Sequence, residues 1–318
     1  MTRARVVRWL ALAAALAIMI VLVARLGPSQ IVDELQHVGA NAAWLLVVYV
    51  AGTAIGALPY YVLFPPHERP TVRSALLGRF AASGINVILP LFGMGGEPTR
   101  LLWLPTSERT RGIAVIIVDR LTYAAASALF LLGGALAAVQ LSDLPSSYAI
   151  GGLVGAGALL AIAFVAIYVA SRHGIGHRLH RLIVRIRKRS APTGTGTGAA
   201  IDREIEAIVL RRRHLLAAVL IGLLARSVLG LEIVVAYAIC GAPLSAAEAC
   251  TVAAVPVLLT FVGAVVPGQL GLQEGSQALV ARAMGIDPST AVAAVLLTRV
   301  RQLVTAGIAW AMVARKRI

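Results

Sequence analysis

Long apolar runs, broken by short polar stretches, dominate the chain from end to end. They cover roughly 6–26, 42–64, 74–92, 112–140, 148–171, 215–240, 245–266 and 289–314, with a shorter run at 275–285. No two-residue alternation appears in them, and most are long enough for a helix that crosses a hydrocarbon core about 30 Å thick. The pattern predicts an all-α, polytopic helical membrane protein. Composition strengthens this: 59% of the 318 residues are hydrophobic and 14% are charged, a balance no soluble domain of this length carries. Aromatic residues are few and glycine is abundant, at 30 positions. Small residues suit helices that approach closely in lipid, where packing replaces the hydrophobic drive.

Charge sets the expected topology. The stretch 172–214 is dense in arginine, with Arg172, Arg178, Arg181, Arg185, Arg187, Arg189, Arg203 and Arg211 to Arg213. It is expected in the cytoplasm, as are the N-terminus with Arg3, Arg5 and Arg8 and the tail Arg315-Lys316-Arg317. The loops 27–41 and 141–147 hold no Lys or Arg and are expected outside. The first apolar run is too long for a signal-peptide core and reads as an uncleaved first helix. Five apolar runs separate two cytoplasmic points, so one of them must enter and return. The same parity argument applies after the basic stretch. The predicted architecture is therefore about six full spans plus two re-entrant hairpins, 74–98 and 245–285, which enter from opposite faces. That arrangement describes one integral membrane domain, 1–318, made of inverted half-repeats, about 1–171 and 201–318. A cytoplasmic linker, 172–214, joins them, and its Gly/Thr-rich part 190–200 reads as flexible.

Two motifs mark the hairpins. Pro90 to Glu97 reads P-L-F-G-M-G-G-E, and Pro267 to Glu274 reads P-G-Q-L-G-L-Q-E. Each is followed some two dozen residues later by an arginine inside an apolar run, Arg120 and Arg299. Pro90, Gly93, Gly95, Gly96, Pro267, Gly268 and Gly271 are the expected hairpin backbone. An isolated charge at mid-membrane costs about 2.5–3.5 kcal/mol on insertion scales, so such residues face the protein interior and pair. The expected pairs are Glu97 with Arg120 and Glu274 with Arg299. Asp119 and Arg120, being adjacent on a helix, are expected to point in different directions. The candidate substrate-binding residues are Glu97, Arg100, Asp119, Arg120, Arg226, Glu274 and Arg299. Arginines outnumber acids among the ionisable residues at depth, a wider set that adds Arg79, Glu232 and Arg301. A guanidinium fork matches phosphate oxygens, so the excess favours an anionic ligand. The bland alternative is that these groups only tie helices together. Asn86, Gln269, Gln273 and Gln277 are expected to bond the broken backbone, and Pro59 and Pro256 to mark kinks.

The remaining features exclude more than they add. The net charge of +15 would raise nucleic acid as a partner in a soluble protein, but no recognition module is visible. Cys240 and Cys250 carry no redox or metal spacing and read mainly as apolar helix residues. No histidine pair sits on an apolar face, no nucleophile–base arrangement stands out, and the alternating glycines of 190–200 lack a phosphate-loop ending. No catalytic residue, metal or cofactor is expected.

The runs L-P-L-F-G-M-G-G-E-P-T-R, V-D-R-L and V-P-G-Q-L-G-L-Q-E-G resemble the lysylphosphatidylglycerol synthase transmembrane-region family, the flippase-like integral membrane family. A hopanoid-associated group is similar. Phe92 to Glu97 keeps the family's glycines and acid, and Arg100 matches its trailing arginine. Gln273 stands where arginine is common in that pattern, a departure that takes a cation away from that point. The resemblance implies a lipid-transport or lipid-head-handling role in the cell membrane. The aminoacyl transferase domain of two-domain members is not expected here, so lysyl transfer is not expected either. The leading expectation is a flippase-like protein for an anionic or phosphate-linked lipid head. The alternatives are a membrane-embedded enzyme on a polyprenyl-phosphate or glycolipid, and a non-catalytic partner of envelope-lipid or hopanoid biosynthesis proteins.

Overall fold

The computed structural model describes residues 39–89, 94–141, 144–173, 196–262, 269 and 271–317. Every regular element among them is helical. Of the predicted hairpin backbone, Pro90, Gly93, Pro267 and Gly268 lie outside the described residues, as does the first apolar run.

The first described traverse is broken into α1 (Ala42–Ile55) and α2 (Leu58–Leu63). Pro59 falls in the first turn of α2, where a missing backbone N–H leaves no intrahelical bond unmade. The next helix, α3 (Val72–Ile88), starts at Thr71, whose hydroxyl accepts a hydrogen bond from the Ser74 N–H at 3.2 Å. A tight 3-10 segment, Glu97–Trp103, leads back toward the long α4 (Arg109–Val139). Then come α5 (Ser146–His173), α6 (Gly196–Leu210), α7 (Arg212–Ile239), α8 (Ala246–Val262), α9 (Leu272–Ala283) and α10 (Pro288–Arg317).

Five helical segments among the described residues are long and apolar enough to span a bilayer: 39–63, 106–139, 146–166, 212–239 and 288–316. These are the runs read from the sequence as full spans, apart from the first. The two runs assigned to hairpins form α3, of 17 residues, and α8, which is described as far as Val262. At 1.5 Å per residue α3 is about 26 Å long, short of a hydrocarbon core of about 30 Å.

Tertiary packing crosses between the halves. The first half's α3 lies on α10, and its α4 lies on α8. Both contacts are close because a glycine faces the partner. A Cβ on Gly84 of α3 would collide with the Ala309 methyl and come within 2.7 Å of the Thr305 carbonyl oxygen on α10. A Cβ on Gly134 of α4 would collide with the Ala254 methyl and come within 2.9 Å of the Cys250 carbonyl oxygen on α8. Small residues on one helix thus let the backbone of the other approach.

Pro256 is inside α8 and cannot donate to the carbonyl of Val252. Gln277 of α9 makes up the loss, its amide N–H donating to that carbonyl at 3.0 Å while its oxygen accepts from the Tyr237 hydroxyl at 3.1 Å. In a setting without water, this side chain keeps the broken helix satisfied. Of the glutamines expected to bond broken backbone, Gln277 does so, while the Gln273 side chain makes no hydrogen bond to the described residues.

The structure corrects two expectations from the sequence. The flexible linker 190–200 and the cytoplasmic stretch 172–214 contain a packed helix, α6, from Gly196 onward. Ile201, Ile205 and Ile208 recur at helical spacing, are buried, and join Tyr60, Leu63, Phe64 and Val115 in one apolar cluster. Charge around those isoleucines masks the periodicity. The half-repeat boundary drawn at 201 therefore falls inside a helix. Asp119 and Arg120 also do not diverge as predicted: the Arg120 guanidinium returns to the Asp119 carboxylate at 3.1 Å. The Cα–Cβ vectors differ in direction, but the arginine side chain is long enough to fold back. Cys240 and Cys250 are not joined by a disulfide.

Candidate functional site: two buried ionic centres

The first centre lies where α3, the 3-10 segment and α4 meet. Gly95 and Gly96 make that junction possible. A Cβ on Gly96 would strike the Ala82 carbonyl oxygen, and one on Gly95 the Leu89 carbonyl oxygen. The Gly96 N–H donates to the Asn86 side-chain oxygen at 2.6 Å, so Asn86 bonds the broken backbone as expected. The Thr99 hydroxyl donates to the Gly96 carbonyl at 2.7 Å. This turn directs Glu97 and Arg100 inward, where both are 2% exposed.

Four of the predicted site residues come together here. Arg100 Nη1 lies 2.9 Å from Glu97 Oε2 and 2.6 Å from Asp119 Oδ2. Arg120 Nη1 lies 3.1 Å from Glu97 Oε1 and also holds Asp119. Arg79 of α3 adds a longer contact to Glu97, 3.6 Å. Three guanidinium groups thus share two carboxylates, which leaves a net positive charge. Several N–H groups stay without a hydrogen-bond partner among the described residues: Arg79 Nε, Arg100 Nε and Nη2, and Arg120 Nε. The buried Tyr60 hydroxyl is in the same condition. Glu97 Oε1 is the one acceptor of the centre in that condition among the described residues, so unpartnered donors outnumber unpartnered acceptors, and buried donors of this kind normally find partners.

Two tyrosines complete it, and neither was singled out in the sequence. Arg100 stacks over Tyr60 at 3.9 Å from the ring centroid. The ring of Tyr123 lies under three guanidiniums, at 4.4 Å from Arg226, 4.5 Å from Arg120 and 5.5 Å from Arg79. The signal was present, since Tyr123 is three residues from Arg120 on one helix face. Arg226 of α7 joins the centre through that ring and donates to the Ser127 hydroxyl at 3.0 Å. It has no carboxylate partner among the described residues, so it raises the cationic excess to two.

The second centre lies between α9 and α10. Arg299 Nε is 3.2 Å from Glu274 Oε1, and its other nitrogens donate to the Gln302 side-chain oxygen at 3.0 Å and the Gln269 carbonyl at 3.1 Å. Glu274 also accepts from the Gly271 N–H at 2.8 Å, and Gly271 has a φ of +79°, a conformation natural to glycine. Beside it, Arg301 and Glu232 form a two-bond fork at 2.7 and 2.8 Å. Here the charges balance. Both pairs expected from the sequence, Glu97 with Arg120 and Glu274 with Arg299, are therefore present, but they belong to separate centres. Arg120 and Arg299 each stand eleven residues after the first residue of their helices, Arg109 and Pro288.

These features define an integral membrane protein with an arginine-rich polar core. The family model described as "Lysylphosphatidylglycerol synthase TM region" matches residues 8–309, and the chain belongs to that family. No curated protein and no solved structure matches the chain.

Proposed function

We propose that the protein binds a lipid with an anionic, phosphate-linked head and moves that head across the membrane. The observation that carries this reading is the surplus of buried guanidinium groups around Glu97 and Asp119. Breaking even is the best a buried ion cluster normally achieves, because desolvation offsets Coulomb attraction. A cluster with four arginines for two carboxylates does worse than that unless an anion completes it. Phosphate oxygens match the forked donors, and the unpartnered N–H groups supply hydrogen bonds. Membership of a family whose name concerns a phospholipid fits the same substrate class.

In this reading the two motif segments are re-entrant hairpins on opposite faces, with both termini in the cytoplasm. The matched positions of Arg120 and Arg299 along their helices and the exchanged contacts α3–α10 and α4–α8 support inverted repeats. Such repeats place substrate at the midplane between halves that rock against each other. The balanced Glu274–Arg299 and Glu232–Arg301 pairs act as latches between moving parts.

The test is native mass spectrometry of the gently purified protein beside Arg120→Ala, followed by a flipping assay in vesicles with the lipid found. A phosphate-bearing lipid enriched on the wild type and lost from the variant is expected. Bulk lipids only, unchanged by the substitution, would reduce the cluster to a structural tie.

A further inference from the structure

The apolar face of α6 closes one side of the first centre. Ile201, Ile205 and Ile208 are buried in one cluster with Tyr60, Leu63, Phe64, Leu104 and Val115. The opposite face stays outside: Arg203, Glu206 and Ala207 are exposed, and Leu210 is 74% exposed. The helix packs mainly on α4, with smaller contacts to α5 and α7. It therefore covers the bundle without being enclosed by it. Its polar attachments are few. Arg111 of α4 holds Glu204 through two hydrogen bonds at an edge where both side chains are partly exposed. Arg211, the single residue between α6 and α7, is not helical, with φ −82° and ψ +64°. A break of this kind at the end of an element can absorb a rotation of one helix against the next.

Tyr60 belongs to both structures. It is part of the apolar cluster that α6 completes and, through Arg100 stacked 3.9 Å from its ring centroid, part of the ionic centre. Its hydroxyl is buried with no hydrogen-bond partner among the described residues. A Cβ on Gly112 would lie 3.7 Å from that oxygen and strike Leu101 and Leu104, so apolar side chains crowd this side. A buried phenol left unsatisfied is costly, and the cost falls on the arrangement with α6 in place. With α6 turned aside, the hydroxyl gains a partner and that cost disappears. The same movement uncovers a route to Arg100, Glu97 and Asp119, none of them more than 2% exposed.

We propose that α6 is a hinged lid over the arginine-rich centre, turning at Arg211, and that Tyr60 is the gate beneath it, the first polar group an entering ligand meets. The lid movement stands on geometry alone. That it admits a phosphate-linked head rests on the reading above.

Thiol labelling of the full chain in detergent tests the lid. Cys240 and Cys250 are replaced by alanine, and Ile205→Cys is treated with a water-soluble maleimide beside Ala294→Cys, a fully buried position on α10. Ile205→Cys should label well before Ala294→Cys. In that background Glu204→Gln, which unties the edge, should speed labelling about two- to fivefold, the scale of a partly exposed ion pair. Tyr60→Phe, which removes the unsatisfied hydroxyl from the closed lid, should slow it about two- to tenfold, the scale of one hydrogen bond. A helix packed there only for structure would not be slowed by Tyr60→Phe. Labelling of both cysteines at one rate, or at a rate indifferent to Tyr60→Phe, would overturn the lid. A second chain, Arg111→Cys with Glu204→Cys, shows what passes. Fluorescent phosphatidic acid should cross vesicles when the two thiols are capped by a monofunctional maleimide, and stop when a short bis-maleimide joins them. Equal movement in both forms would overturn the lid and leave the phosphate reading standing. No retention or movement of this lipid by the wild type would overturn the phosphate reading, while the labelling rates still decide the lid.

Discussion

Replacing Asp119 by asparagine tests the ionic centre most directly. The carboxylate is 1% exposed and is shared by two guanidiniums, Arg100 at 2.6 Å and Arg120 at 3.1 Å. Asparagine keeps the shape and an acceptor oxygen, so no cavity forms and the change is almost purely one of charge. It leaves Glu97 alone among Arg79, Arg100 and Arg120. Breaking one side of a buried charge pair costs about 3–5 kcal/mol, because the remaining charge is stranded away from water. Two charge-assisted hydrogen bonds are weakened together, each worth about 1.5–3 kcal/mol, which gives the same scale. The variant should therefore melt well below the wild type in detergent, followed by tryptophan or dye fluorescence during heating. Added phosphate-head lipid should raise its melting point by more than it raises that of the wild type, since an anion substitutes for the lost carboxylate. A variant that melts with the wild type, with or without the lipid, would refute a centre whose guanidiniums are held by Asp119.

Three further outcomes are expected. Arg299→Ala should abolish lipid movement in vesicles while the protein still inserts and purifies as a monodisperse species; normal transport would remove Arg299 from the mechanism. Gly134→Val should destabilise by about 1–3 kcal/mol or more through overpacking against Ala254 and the Cys250 carbonyl, read as a loss of thermal stability. An unchanged melting point would show that α4 and α8 are not in close contact. The Arg111–Glu204 bridge, with bonds of 2.9 and 2.8 Å, fastens α6 to α4. Arg111's hydrogen bonds hold the Glu204 carboxyl below its usual value, so this tie is fully present above the ordinary carboxylate range and is lost as pH falls through the lowered value. Hydrogen exchange across 196–210 should accelerate on acidification, and Glu204→Gln should flatten that response.

α6 also explains how the basic stretch is organised. Besides Glu204, Arg111 pairs with Glu68 in the segment between α2 and α3. Arg211 donates to the Leu63 carbonyl at 2.7 Å, closing the end of α2 where helical carbonyls lack partners. Three separate chain segments, near residues 63–69, 109–111 and 204–211, thus meet at one end of the bundle.

Much was determined by sequence alone. Hydropathy fixes which runs can enter a membrane, because an apolar run of sufficient length has no cheaper place to go. Charge parity set 74–98 and 245–285 apart from the full spans; the first contains α3, and the second contains α8 and α9. The glycine motifs located Glu97 and Glu274, and their spacing to Arg120 and Arg299 anticipated both ion pairs. Tertiary structure alone decided the rest. Arg79 and Tyr60 reach the first centre from two other elements, α3 and α2, a convergence that no local pattern encodes. Arg226, separated by about a hundred residues from Arg120, joins it across a tyrosine ring. Periodicity could not show that Glu232 and Arg301 neutralise each other. Membrane insertion depends on the sum of residue free energies along a segment, which sequence records directly. The balance of charge in a buried site depends on which side chains share a few ångströms, and only the folded chain sets that.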